Sequence, residues 1–496
     1  MSLTSALNTA QSIFNNTGKQ SSTVSNNIAN ANNANYTRRQ AMLSTSLAGA
    51  QVVQIARAQE PQLQAQFLTS SSQDSAQQRL LKGLEDIKAT LGGNDNETSP
   101  ATYLAALQKA MQNYAASPSS TTAAQSAITA ASDVATALNN ATASVQGIRA
   151  GADKEIATDV AKLNDLLSQF KTANDAVKSS QSSTDEIASA MDTRDAILQQ
   201  MSQIVGITTV TRSGNDMAVY TSDGTPLFDT VARTVSFSPT STYSAGSTGN
   251  AIYIDGTPLS AGSGAETTAQ GSLQALVQIR DTIAPTYQSQ LDEIAKGLVS
   301  MFSETDQTNG DVAPGLFTWV PASDPAYTPA DSDSVMPDAS PNIAGIAGSI
   351  TVNPAFVTSQ GGDPNLLRDG GANGADFVVN TTGASGYSAQ LDAYVTAMDA
   401  DRTFDPLTGV ATTASIMEFA SNSIGWVENY RSGASNAAEN TSAAQARSSA
   451  AYSNETGVNL DEELSLLMDI EQSYKAGTKI LSAVDEMLQA LLQAAG

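Results

Sequence analysis

Apolar residues at the two ends of the chain recur in alternating steps of four and three, the spacing that gathers side chains on one stripe of a helix. Near the start, Leu3, Leu7, Ala10, Phe14, Thr17, Ser21, Val24, Ile28 and Ala31 follow this rule. Near the other end, Leu467, Ile470, Tyr474, Gly477, Leu481, Val484, Leu488 and Leu491 do the same. A seam of this kind, sustained over about four heptads, predicts half of a coiled coil. A single-stripe helix with nothing beside it buries little, so each end is predicted to order only with a partner. Gly477 stands inside the second seam, where glycine costs about 1 kcal/mol of helix propensity relative to alanine.

Three interior runs keep the same period. They are Ile156, Val160, Leu163, Leu167, Phe170 and Val177; Ile187, Met191, Leu198, Met201 and Val205; and Leu276, Ile279, Ile283, Tyr287, Leu291, Ile294, Leu298 and Met301. Together they predict an elongated helical bundle. Pro285 lies inside the third run and predicts a kink or a boundary there. From Ile207 to Gly264 the period drops to two: "MAVYTSDGTPLF" and "AIYIDGTPLS" each run β-formers into Asp-Gly, a hairpin signal. The shared DGTPL at Asp223 and Asp255 predicts two similar hairpins. From Asp306 to Gly386 the chain is rich in Gly, Pro, Asp and Asn, which predicts a second β-rich or irregular region.

The fold class expected is therefore multidomain and mainly α, with terminal coiled-coil helices, an elongated helical bundle and β-rich central insertions. Residues 1–60 and 450–496 would form the terminal coiled-coil domain. Residues 61–205, 265–305 and 387–449 would form the bundle, 206–264 the hairpin region and 306–386 the irregular outer region.

Charge supports the pairing of the ends. Residues 1–59 contain no acid and carry Lys19, Arg38, Arg39 and Arg57, whereas eight acids against Lys475 and Lys479 lie from Glu455 onward. Opposite signs favour association of the two helices with each other over self-pairing. The whole chain of 496 residues carries a net charge of −25, with no cysteine and no histidine. That composition excludes a thiol nucleophile, an imidazole base, a disulfide framework and a structural zinc site built on Cys or His. It also disfavours nucleic acid and anionic membrane as partners. No stretch reaches the length of a membrane span, and the start lacks the pattern of a cleaved signal peptide. The expectation is a cytoplasmic protein, or one that leaves the cell without a removable signal.

Little else points to chemistry. "ETDQTNGDVAPGLF" has the acids of a calcium loop, but the sixth and twelfth positions counted from Asp306 are Asp311 and Phe317 instead of glycine and glutamate. Asp461 to Glu463, and Asp485 with Glu486, are better read as helix-start and inter-helix charges than as a catalytic pair. No glycine-rich phosphate loop follows a strand. The sequence predicts no enzyme, no cofactor and no metal.

One stretch fits none of these classes. "SNNIANANNANYTRR", Ser25 to Arg39, has asparagine at six of fifteen positions directly after an apolar seam. Asparagine is poor in helix interiors because its amide competes for backbone groups. This run resembles the N-terminal signature of the bacterial flagellar axial proteins, the family of rod, hook and hook-associated proteins. "GVNLDEELSLLMDIEQSYKAGTKILSAVDEMLQALL", from Gly457, is similar to the same family's C-terminal helix. "GSLQALVQIRDTIAPTYQSQLDEIA", from Gly271, and "ITVNPAF", from Ile350, resemble internal motifs of its hook-associated, junction-forming branch. The resemblance implies a structural subunit of the extracellular flagellum that joins hook to filament. It would assemble as a helical ring of copies of itself, with the hook protein, a second junction protein and a flagellar export chaperone as partners. It further implies that Leu3, Leu7, Phe14, Val24, Asn26, Asn27, Ile28 and Asn30, with Leu467, Ile470, Tyr474, Leu481, Val484, Leu488 and Leu491, serve assembly, the amides meeting other copies.

Overall fold

The computed structural model describes residues 3–46, 49–179, 184–320, 336–337 and 343–495. Its two ends pair. The N-terminal helix, Leu3–Ala29, lies along the C-terminal helix, Leu460–Ala495. Phe14 meets Tyr474 edge-on at 5.1 Å between ring centroids, and Arg38, just past the first helix, reaches Glu462 and Glu463 at the start of the last. The pairing is therefore antiparallel. At Gly477 the two helices are close: a Cβ there would sit 2.9 Å from Cγ2 of Ile13. The propensity lost to glycine is offset by an approach that a larger residue would block. After the first helix the chain forms a long hairpin, Arg39–Ser46 against Gly49–Arg57, which returns onto that helix, where Val52 N–H donates to Asn16 Oδ1 at 2.9 Å.

A second antiparallel pair begins the bundle. Pro61–Thr90 runs against Ile416–Thr456, with Phe67 stacked on Tyr452, Gln77 donating to the Ala434 carbonyl and Lys88 paired with Glu428. Ser415 and Glu418 form a capping box that fixes where the long Ile416–Thr456 helix starts. This helix runs through position 450, where the sequence suggested a domain boundary, and breaks instead at Gly457.

Thr121–Lys178 is the spine, 58 residues long and so about 87 Å at 1.5 Å per residue. Its first half enters one core with Leu84, Leu107, Tyr287, Phe302 and Phe419, and its second half enters another with Leu198, Met201, Phe228 and Leu276. All six residues of the first interior seam are buried in this helix. In Thr184–Ile204 and the turn after it, Met191, Leu198, Met201 and Val205 are buried, while Ile187 is half-buried.

Pro285 does not end the helix. Ser272–Gln278 continues through a π turn, Ile279–Ile283, into Ala284–Met301, and Ala284 N–H donates to the Ile279 carbonyl five residues back. The wider turn displaces the ladder where proline lacks a donor and its ring would crowd a carbonyl. The same turn holds Arg280, buried, which donates from Nη1 to Asp153 at 2.7 Å and also grips Asp281. Arg149 donates from Nε to the Arg280 carbonyl and from Nη1 and Nη2 to the carbonyls of Ser244 and Ser247, which pins that loop onto the spine.

The hairpin region is a four-stranded antiparallel meander, Ile207–Thr211, Met217–Thr221, Pro226–Asp229 and Val231–Ala232. Beside it lies a three-stranded one, Val235–Ser236, Tyr253–Ile254 and Thr257–Pro258. The two DGTPL copies both turn, but differently. At the second, Asp255 and Gly256 alone make the turn with φ of 50° and 83°. At the first, Ser222 adds a residue, and Asp223 Oδ1 accepts from Thr225 N–H at 3.1 Å. The outer region is irregular more than β-rich. Among the described residues its sheet content is two short pairs, Glu304–Thr305 with Val312–Ala313 and Phe317–Thr318 with Thr351–Val352. Left-handed backbone at Gly361, Gly370, Gly371, Gly374 and Gly383 breaks up the rest. The acidic stretch at Asp306 is a hairpin turn in which Asp306 Oδ1 accepts from the N–H groups of Thr308 and Asn309.

Phe228 is fully buried against Phe170, with ring centroids 5.0 Å apart. Phe228→Ala is expected to destabilise the second core by about 3–5 kcal/mol. In denaturant unfolding followed by residue-specific hydrogen exchange, protection should fall across 207–232, while helix Pro100–Ala116 in the first core keeps its own.

Candidate assembly surface at the paired termini

The asparagine run is the joint that carries the chain out of the first helix. Asn27, 1% exposed, sits at its centre. Its Nδ2 donates to the Arg39 carbonyl at 2.8 Å, and its Oδ1 accepts from Arg39 N–H at 3.1 Å and from the Tyr36 hydroxyl at 2.9 Å. One amide thus brackets the turn at both ends, using both its donor and its acceptor. Asn27 thus makes three hydrogen bonds within its own chain. Asn30 Nδ2 donates back to the Asn26 carbonyl, and Asn33 Oδ1 accepts from Asn35 N–H, so these residues close successive turns. Asn26 itself is exposed and Asn30 is half-buried. Burial raises the Tyr36 hydroxyl pKa, and the Arg39 guanidinium lies over its ring at 4.9 Å.

The basic residues after the run are divided. Arg38 Nε pairs with Glu463 at 2.7 Å and its Nη1 with Glu462 at 2.8 Å, closing the terminal pair as the charge pattern suggested. Arg39 and Arg57 turn elsewhere, to Asp185, Asp192 and Asp195 on Thr184–Ile204. Burial opposes the charge on Arg57, but Asp195 and Asp192 outweigh it and hold its pKa above the ordinary value. Asp461 to Glu463 occupy the first turn of the last helix, where Asn459 Oδ1 accepts from Asp461 N–H.

The apolar seams are only partly covered. Ala6, Ala10, Thr17 and Val24 face inward on the first helix, and Ile470, Gly477 and Val484 on the last. Leu3, Phe14, Ile28 and Leu467 are half-buried. Leu7, Tyr474, Leu481, Leu488 and Leu491 remain exposed, at 45%, 52%, 42%, 42% and 61%. Sequence reading missed further exposed apolar side chains off the seam, Leu464, Met468, Met487 and Leu492, although the "LSLLM" run shows that the last helix is apolar on more than one face. It also missed Met42, Leu43 and Val53, exposed on the hairpin. So large an uncovered apolar surface, rimmed by charge, marks an interaction site. Among the described residues no group of acids is arranged to hold a metal ion, and no helix is long and apolar enough to cross a membrane.

Residues 84–315 match the family model described as the flagellar hook-associated protein FlgK helical domain. Residues 450–494 match the one described as the flagellar basal body rod FlgEFG protein C-terminal. None of the curated proteins matches the chain. A solved structure, the flagellar hook junction protein FlgK from Burkholderia pseudomallei, is similar with a TM-score of 0.42 and 19% identity over 52% of this chain. The matched part spans 47% of that protein's length.

Removing the bracket should loosen the joint. Asn27→Ala leaves the Tyr36 hydroxyl and both backbone groups of Arg39 without their partner, and is expected to cost about 2 kcal/mol. Asn26→Ala, at an exposed site, should stay within about 0.5 kcal/mol of the parent. Hydrogen exchange across residues 3–46 distinguishes the two variants.

Proposed function

Since the chain belongs to the flagellar hook-associated protein family, we propose that it is a structural subunit joining hook to filament, assembling in a ring through its paired terminal helices. The observation that carries this reading is the row of large apolar side chains left uncovered on that pair, Leu7, Leu481, Leu488 and Leu491. In a monomer such a surface is a liability; in a repeated contact around an axis it is the interface. A heterologous contact of this kind generates a helical stack, and the bundle and outer region would project from it.

Further copies of the chain meet at this surface, with the hook protein below and a second junction protein above. The same uncovered stripe needs cover before assembly, and an export chaperone holding the C-terminal helix would supply it. Passage out of the cell would then proceed through the flagellar export channel. The chain contributes shape and contacts and carries out no reaction.

Deleting the gene from its bacterium should leave hooks without filaments and flagellin in the medium, seen by electron microscopy and by assay of culture supernatant. Complementation with Leu481→Glu/Leu488→Glu should fail to restore filaments, because a charge buried in an apolar contact costs several kcal/mol. The purified variant should keep the parent's circular dichroism, since both side chains are exposed in the monomer. Intact filaments in the deletion strain would overturn the reading.

A further inference from the structure

The arginines at the base of the hairpin hold two different bodies. Arg38 fastens the terminal helices to each other, whereas Arg39 and Arg57 cross to the bundle helix Thr184–Ile204. Successive side chains of an extended chain point to opposite sides, so neighbours 38 and 39 grip different partners. Arg57 donates from Nε to Asp192 at 2.7 Å and from Nη2 to Asp195 at 2.6 Å. Arg39 lies 3.6 Å from the carboxylates of Asp185 and Asp192 and donates to Ser189 Oγ at 2.8 Å. Within this cluster both bases belong to the terminal unit and all three acids to the bundle.

Beside these pairs Arg38 N–H donates to the Thr456 carbonyl at 2.8 Å and Gln59 Nε2 to Met191 Sδ, and two open cavities flank the joint. A cavity of about 570 Å³ separates the terminal unit from the bundle, lined by Asn33, Tyr36, Phe67, Asp195, Tyr452 and Asn459 among others. A second of about 560 Å³ opens beside Asn30, Arg39 and Ser189. The chain crosses between the two bodies at residues 58–60 and 457–459, both outside helices and strands. A joint sealed by apolar packing would have to expose that surface in order to move. One closed by ion pairs exchanges them for water, and the net balance of that exchange is small.

We propose that this joint is an ion-pair latch. Closed, Arg39 and Arg57 on Asp185, Asp192 and Asp195 fix the angle between the terminal helix pair and the bundle. Parted, they let the pair swing into the two cavities while each unit keeps its own core. A subunit in such an assembly could then change shape at one place without unfolding.

The absence of cysteine makes the test direct. Spin labels at Ser22→Cys on the first helix and Ser168→Cys on the spine, both exposed positions, report the angle as a distance distribution in the full chain. The latch predicts one narrow distance for the labelled parent. Neutralising Asp195→Asn should broaden the distribution at least about twofold, because Arg57 loses one of its two carboxylates, with unchanged circular dichroism. Asp175→Asn, an ion-pair member within the spine, should leave it narrow. If Asp195→Asn does not fold, raising salt on the labelled parent from about 0.05 to about 1 M replaces it, with broadening again expected. A parent that is already broad, or one whose width is unmoved by both treatments, overturns the latch. The measurement reads the isolated chain, so its failure leaves the assembly reading standing.

Discussion

Everything in this molecule that bears on assembly depends on the close approach of its two ends. Gly477 gives Ile13 the room to come within contact distance, and Arg38 closes the other end of the pair on a buried Glu463. The contact joins residues more than four hundred positions apart, so the whole intervening chain is a loop whose closure the terminal pair must hold. Two bases followed by separate duties make that possible. Arg38 serves the coil, and Arg39 ties the coil to the rest.

The bundle supplies a rigid base for that arrangement. One continuous spine enters both cores, and the penultimate helix packs antiparallel on Pro61–Thr90 up to its last turns, where Phe67 stacks on Tyr452 beside the break at Gly457. The strain of passing Pro285 is taken up by a π turn, and the same turn presents Arg280 to Asp153. Polar knots of this kind hold loops without adding apolar surface. The uncovered apolar surface is concentrated instead on the terminal helices and the hairpin.

Much of this was legible in the sequence, because helical periodicity is local. The terminal seams, the second half of the spine from Ile156, the third interior run and both Asp-Gly turns follow from spacing alone; the first half of the spine does not. What spacing cannot show is which part of a seam another chain will cover. Leu481 and Val484 lie on the same stripe, yet one is 42% exposed and the other 2%. Charge counting found the attraction between the ends but not its division, since the partners of Arg39 and Arg57 lie about 130 to 150 residues away on a bundle helix whose placement only tertiary packing decides. Asn27 illustrates the same limit. Composition marked the run as unusual, but only the folded chain separates the amide that braces its own turn from those left facing outward.

The central claim is that the uncovered stripe on the terminal pair meets another copy of the chain. A single cysteine at Leu488, in a chain that has none, tests it directly when paired with one at Leu7 and oxidised in isolated flagella. A ladder of crosslinked multimers, absent when the cysteines are placed instead at Gln169 and Asp175 on the spine, is the result expected. Monomers alone from the Leu7 and Leu488 positions, in flagella that carry filaments, would contradict it.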